Sequence, residues 1–177
     1  MRLSAALIPV CLITALSVAA AQTEPVQTQS APPERSSASS ALVLRTTPEA
    51  LLSDLKVAGY QATLDTSGEQ PSILLEKKAD NVVINLDFIG CNASSCDAVE
   101  ANVWYDAAKM KSLPDLKTIN SWNQEYYVQA YIDTDKNINL LSRYRFTGGF
   151  THANFLGWLA DFEDESNEFD QIMQDLN

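Results

Sequence analysis

The chain has 177 residues, 46% hydrophobic, 20% charged and 8% aromatic, a globular composition that excludes a collagen, a low-complexity polymer and a fully disordered chain. Acidic residues outnumber basic ones 23 to 12, for a net charge of -11, so the chain has no electrostatic footing for general binding to nucleic acid or anionic lipid. One histidine and three cysteines leave little material for metal or nucleophile chemistry, and the length suits one domain.

The first segment reads as an address. Met1-Arg2 supplies a short positive start, residues 3–21 are uncharged and mostly apolar, and Ala19-Ala20-Ala21 places small residues where a signal peptidase cuts. About 20 apolar residues can also span a bilayer. Pro9 inside the run and the polar Gln22-Thr23-Glu24-Pro25 after it predict cleavage instead. Cys11 follows Val10 in mid-run, so it does not mark a lipoprotein. Residues 1–21 are therefore expected to be a signal peptide, leaving no stable membrane anchor once removed. Without Arg2, 11 basic residues face 23 acidic ones, a net charge of -12.

Residues 22–40 are rich in Gln, Ser, Thr and Pro, with Val26, Ala31 and Ala38 as their only apolar members. Too little apolar surface is present to offset the entropy of ordering, so a disordered linker is expected. Residues 41–177 read as one α+β domain. Thr47-Pro48-Glu49 is a helix start, with a hydroxyl cap, a proline in the first turn and an acid favoured by the helix dipole. Leu51, Leu52 and Leu55 form its apolar stripe and Gly59 ends it. Extended segments follow at residues 60–65, 72–77, 82–88 and 98–105, separated by turn chemistry and the loop from Cys91 to Cys96. In the third, Val82, Ile84, Leu86 and Phe88 alternate with Val83, Asn85 and Asp87, giving one apolar face. Connections this short admit only antiparallel pairing.

Ser112-Leu113-Pro114-Asp115 opens a second helix to about residue 123. Residues 126–132 and 138–144 form a further hairpin, and Gly148-Gly149 breaks the chain before a last helix near Thr151. From Asp161 onward that helix carries seven acids and no base, which opposes the macrodipole, so its end should fray unless something holds it. The expected order is α-β-β-β-β-α-β-β-α, an antiparallel sheet with helices packed on it.

Most candidate motifs resolve into structure. Cys91 and Cys96 are the only cysteines beyond the signal, and four intervening residues allow a disulfide. A redox-active pair would want Cys-x-x-Cys spacing at a helix start. A zinc site would need two further ligands, and the sole histidine, His152, lies far along the chain. Asp133-x-Asp135-x-Asn137 begins like a calcium loop, but Ile138 stands where glycine is needed and Tyr144 where a bidentate carboxylate is needed. A polar hairpin turn is the better reading. His152 beside Thr151 lacks a glycine-flanked nucleophile elbow, and Gly148-Gly149 is a tight connection before it is an anion cradle. Asn92-Ala93-Ser94 fits a glycosylation acceptor in form alone. In Ile119-Asn120-Ser121-Trp122-Asn123, Asn120, Trp122 and Asn123 could contact a partner. The rival reading has the amides satisfying backbone groups at the helix end with Trp122 in the core. Arg143 and Arg145 face two options, an internal pairing or one with a second subunit.

From Leu42 to Met173 the chain resembles the YbjN-like family, labelled bacterial sensory transduction regulators. The resemblance rests on Pro48-Glu49 leading to Gly59-Tyr60, and on Phe88-Ile89-Gly90-Cys91 followed by Cys96. It continues through Ile119-Asn120-Ser121-Trp122-Asn123, Tyr131-Ile132-Asp133 and Gly148-Gly149-Phe150-Thr151. It implies a periplasmic protein of Gram-negative bacteria with a fold like the type III secretion chaperones, small α+β proteins that bind other proteins and often pair with a second copy. It implies no catalytic residue, metal or cofactor. The expectation is thus a non-enzymatic periplasmic protein-binding module with a chaperone-like or regulatory role in envelope or stress physiology. The alternative is a domain that binds a small ligand or a cell-envelope component.

Overall fold

The computed structural model describes residues 41–76 and 83–176; the signal peptide and linker expected at residues 1–40 lie outside them. Helix α1 spans Pro48–Val57, with the Thr47 side chain accepting from the Ala50 amide at its start. Strands β2 (Ala62–Asp65), β3 (Ser72–Glu76), β4 (Val83–Ile89) and β5 (Ala98–Tyr105) follow as an antiparallel meander. A one-turn 3-10 helix at Ala107–Lys109 leads to α2 (Leu116–Glu125), then β6 (Gln129–Ile132), β7 (Ile138–Arg145) and α3 (His152–Asp175). Two further strands were not legible: β1 (Leu42–Val43) and β8 (Phe150–Thr151) pair as a separate two-stranded sheet. Gly149, at φ +92°, makes that pairing close; a side chain there would press on Leu42 and on the Val43 carbonyl.

The six-stranded sheet runs β2-β3-β4-β5-β7-β6, antiparallel throughout. β7 lies beside β5 because the two match over eight residues, with Val99, Ala101 and Val103 opposite Tyr144, Ser142 and Leu140. The four-residue β6 is left at the edge. Two element bounds differ from expectation for a local reason. α2 is capped by the Asp115 side chain rather than opening at Ser112, and it continues to Glu125 because the Tyr126 amide still donates to the Trp122 carbonyl. Residues 126–128 are therefore not strand.

All three helices pack on one face of the sheet. Leu51 and Leu55 of α1, Ile119 and Trp122 of α2, and Phe155, Leu159, Phe162 and Phe169 of α3 join Ile73, Ile84, Leu86, Phe88, Val99 and Leu140 in one core. The expected alternation in β4 places Ile84, Leu86 and Phe88 inward.

The acidic end of α3 is held within the chain. Phe169 and Met173 are buried, and the Tyr105 hydroxyl donates to Asp170. Burial first, then that hydrogen bond and the nearby charge, push Tyr105 far above the usual tyrosine range. Unfolded tyrosine ionises near pH ~10 while the folded residue keeps its proton, so this pair contributes fully below that pH and loses its contribution as pH rises above it. Tyr105→Phe should cost about 1.5–3 kcal/mol at neutral pH by leaving Asp170 short of a donor. Above pH ~10 the gap to wild type should close by about 1.4 kcal/mol per pH unit, as read from urea titrations across alkaline pH.

Cys91 and Cys96 form a disulfide. The Cys96 amide donates to the Thr46 carbonyl at 3.0 Å, which ties the loop to the segment entering α1. A ring this small should contribute about 2 kcal/mol in the chain-entropy account. Thiol labelling of the denatured, unreduced protein should find both cysteines blocked, and Cys91→Ser/Cys96→Ser should lower unfolding free energy by that amount.

Candidate functional site

The three residues singled out in α2 have separate fates. Trp122 is 2% exposed; its indole N–H donates to the Val128 carbonyl at 2.7 Å, its ring stacks on Tyr126, and it meets Phe169 edge-on. Asn123 grips Ala130 of the edge strand with both ends of its amide: Nδ2 donates to the Ala130 carbonyl at 2.9 Å and Oδ1 accepts from the Ala130 amide at 2.7 Å. Glu165 of α3 accepts from the Val128 amide at 2.7 Å. Side chains thus cap β6 on its outer edge, where an added strand would otherwise pair. Asn120 is the exposed member of the three.

The other motif residues settle into turns and caps. Asp133 Oδ1 accepts from the Asp135 and Asn137 amides, and Lys136 at φ 73° completes a polar hairpin turn. Asn92 Oδ1 accepts from the Ser94 and Ser95 amides inside the disulfide loop. Thr151 caps α3 through its hydroxyl, while His152 Nδ1 lies 3.4 Å from Asp54 on α1. Burial raises Asp54 and the His152 charge opposes the rise. Among the described residues no group of three or more His, Cys, Asp or Glu side chains is placed to hold a metal ion.

Two surfaces remain. The first is a groove of about 510 Å³ between α3 and the α2–β6 turn. Tyr127, 91% exposed, stands on one side, and Ala153, Gly157 and Asp161 line the other at successive helical turns. Its floor includes Trp158, held by a bond from its indole N–H to Ser142 Oγ at 3.0 Å. Nothing lies within 4 Å of where a Gly157 side chain would stand, so the helix backbone is bare to the groove. In a separate hollow beside α2, lined with Trp122 and Glu125, the Tyr126 hydroxyl donates to Glu168 and lies near the charges of Glu125 and Glu165, which pushes Tyr126 upward. The signal for the α3 groove was an isolated glycine inside a helical pattern, which often has a packing or functional reason.

The second surface is the sheet face turned away from the helices. Across β4, β5 and β7 it carries Asp87, Glu100 and Arg143 in direct register. Arg143 donates to Glu100 at 2.7 Å, so this cation pairs within the chain. Asp87 accepts from the Asn85 and Asn102 amides at 2.8 and 2.6 Å. Burial raises Asp87 above the usual carboxylate range, and the Glu100 charge adds to the rise.

Compared with known proteins, the chain matches no family model, no curated protein and no solved structure.

Proposed function

We propose that the chain is a non-enzymatic periplasmic protein-binding module of the YbjN-like type, with a chaperone-like or regulatory role in envelope or stress physiology. The observation that carries this reading is the groove beside α3. An almost fully exposed tyrosine faces a stretch of helix whose backbone is uncovered at Gly157, so a partner segment can approach closely and bury Tyr127. Carboxylates at Asp161 and Glu165 favour a partner segment with positive charge.

Gly157→Leu fills the groove, and replacing a helical glycine should raise rather than lower stability by about 0.5–1 kcal/mol. Tyr127→Ala removes an exposed ring. Pull-down from periplasmic extract should enrich a partner with wild type and lose it with both folded variants. Equal recovery with all three proteins, or recovery with none, overturns the proposal. The groove is also large enough for a small ligand or envelope fragment. That alternative predicts a thermal shift with periplasmic metabolites or cell-wall fragments that Gly157→Leu abolishes.

A further inference from the structure

We infer that the open face of the six-stranded sheet binds a β-1,4-linked N-acetylhexosamine glycan, laid across the strands from Trp104 to Tyr131. Three residues in one row carry the site. Trp104 of β5 faces Asn139 of β7, and Asn139 faces Tyr131 of β6, so all three share the side of the sheet turned away from the helices. Trp104 is 53% exposed and Tyr131 44% exposed, whereas Trp122 is buried in the core and Trp158 packs against it. Val83 of β4, also exposed, stands on the same side because Ile84 points inward. The Trp104 indole N–H and the Tyr131 hydroxyl have no hydrogen-bond partner among the described residues, and neither ring touches another ring there. Two amphipathic rings displayed on a flat face make a contact surface.

The spacing of the rings selects the ligand. Strands lie about 4.8 Å apart, so rings on β5 and β6, with β7 between them, stand about 10 Å apart. An extended β-1,4-linked glycan turns every second sugar the same way, and its two-sugar repeat matches that separation. Each ring then stacks on one sugar, the first and third of a run of three, with the second over Asn139. Sugar faces are apolar and their rims polar, the combination that Trp and Tyr also present. Asn139 Nδ2 makes one long bond, 3.4 Å to Asp133 Oδ2, and keeps a hydrogen for the middle sugar. In the next row Gln129 faces Leu141. The Gln129 side-chain amide is unbonded among the described residues, so it offers a donor and an acceptor to an acetamido group. Leu141, outside the core cluster, meets the acetamido methyl.

Charge decides between the polymers that stack on aromatic rings. Single-stranded nucleic acid uses such a platform where a basic groove tracks its phosphates. Here the net charge is -11, and the row from Trp104 to Tyr131 carries no charged side chain. Arg143, two rows away, is spent on Glu100. The carboxylates beside the row, Asp87 under Asn102 and Asp133 under Asn139, repel phosphate. An uncharged glycan meets no such repulsion. The α3 groove lies on the helix side of the sheet, so this site is separate from it and does not rest on how that groove is used.

Isothermal titration calorimetry of the purified protein with chitohexaose tests this. Wild type should bind, and Trp104→Ala and Tyr131→Ala should each weaken binding by about 10-fold, the loss expected of one stacked ring. Leu116→Ala, on an exposed position of α2, should leave it unchanged. A second measurement needs no variant and survives any folding defect. Chitobiose, too short to reach both rings, should bind more weakly than chitotetraose by about the same factor. Cellohexaose, with the same repeat and no acetamido group, should bind more weakly than chitohexaose. Four results overturn the inference: no binding of chitohexaose, equal affinity for chitobiose and chitotetraose, equal affinity for the two hexamers, or binding that Gly157→Leu abolishes while both ring variants keep it.

Discussion

Phe169→Ala is expected to lower the unfolding free energy by about 3–5 kcal/mol in urea titrations, the cost of a lost buried phenyl and the cavity it leaves. The ring is fully buried and lies where three elements meet. It contacts Tyr105 of β5 with centroids 5.8 Å apart and Trp122 of α2 with centroids 4.9 Å apart. Asp170, the next residue, takes the Tyr105 hydroxyl bond. Losing the ring should thus loosen the acidic half of α3, whose acids receive no help from the helix dipole. Hydrogen exchange should rise between Glu163 and Asp175 before it rises in α1. A double-mutant cycle with Trp122→Phe should show about 0.5–1.5 kcal/mol of coupling from the edge-on ring contact. A cost below about 1 kcal/mol would mean that the helix end is held elsewhere.

The helix starts and the strand alternation were legible because they depend on neighbours in sequence. Thr47-Pro48 and the 84, 86, 88 alternation are local signals, and both appear as expected. The position of β7 beside β5 was not legible, since it follows from matching two eight-residue strands across an intervening helix and hairpin. β1 and β8 are two residues each, below any periodic signal, and exist through the close approach at Gly149. The disulfide could be read from spacing, whereas the α3 groove could not. Tyr127 is exposed because α2 continues two residues further than its pattern suggested, and the turn then swings the next ring outward. The fraying expected from seven acids was overcome by buried Phe169 and Met173, an instance of tertiary packing outweighing a terminal electrostatic cost of about 0.3–1 kcal/mol per acid.

The α2 trio gives the sharpest contrast between a contact residue and a structural one. Trp122→Ala should cost about 3–5 kcal/mol, since it removes a 2% exposed indole and strips the Val128 carbonyl of its donor. Asn123→Leu keeps the size of the side chain but removes both bonds to Ala130, with an expected cost of about 1–3 kcal/mol. Asn120→Ala, at an exposed helical position, should change stability by less than about 0.5 kcal/mol. The Asn123 variant should also gain a tendency to self-associate, because its edge strand then offers free N–H and C=O groups at Ala130. Chemical denaturation reads the first three effects and light scattering on heating reads the last. If Trp122→Ala and Asn123→Leu both unfolded like wild type, the two residues would be free for a partner and the edge clamp would not be what keeps β6 in place. If the costs follow the stated order, the clamp closes the β6 edge, and the same short turn that Trp122 anchors presents Tyr127 to the α3 groove.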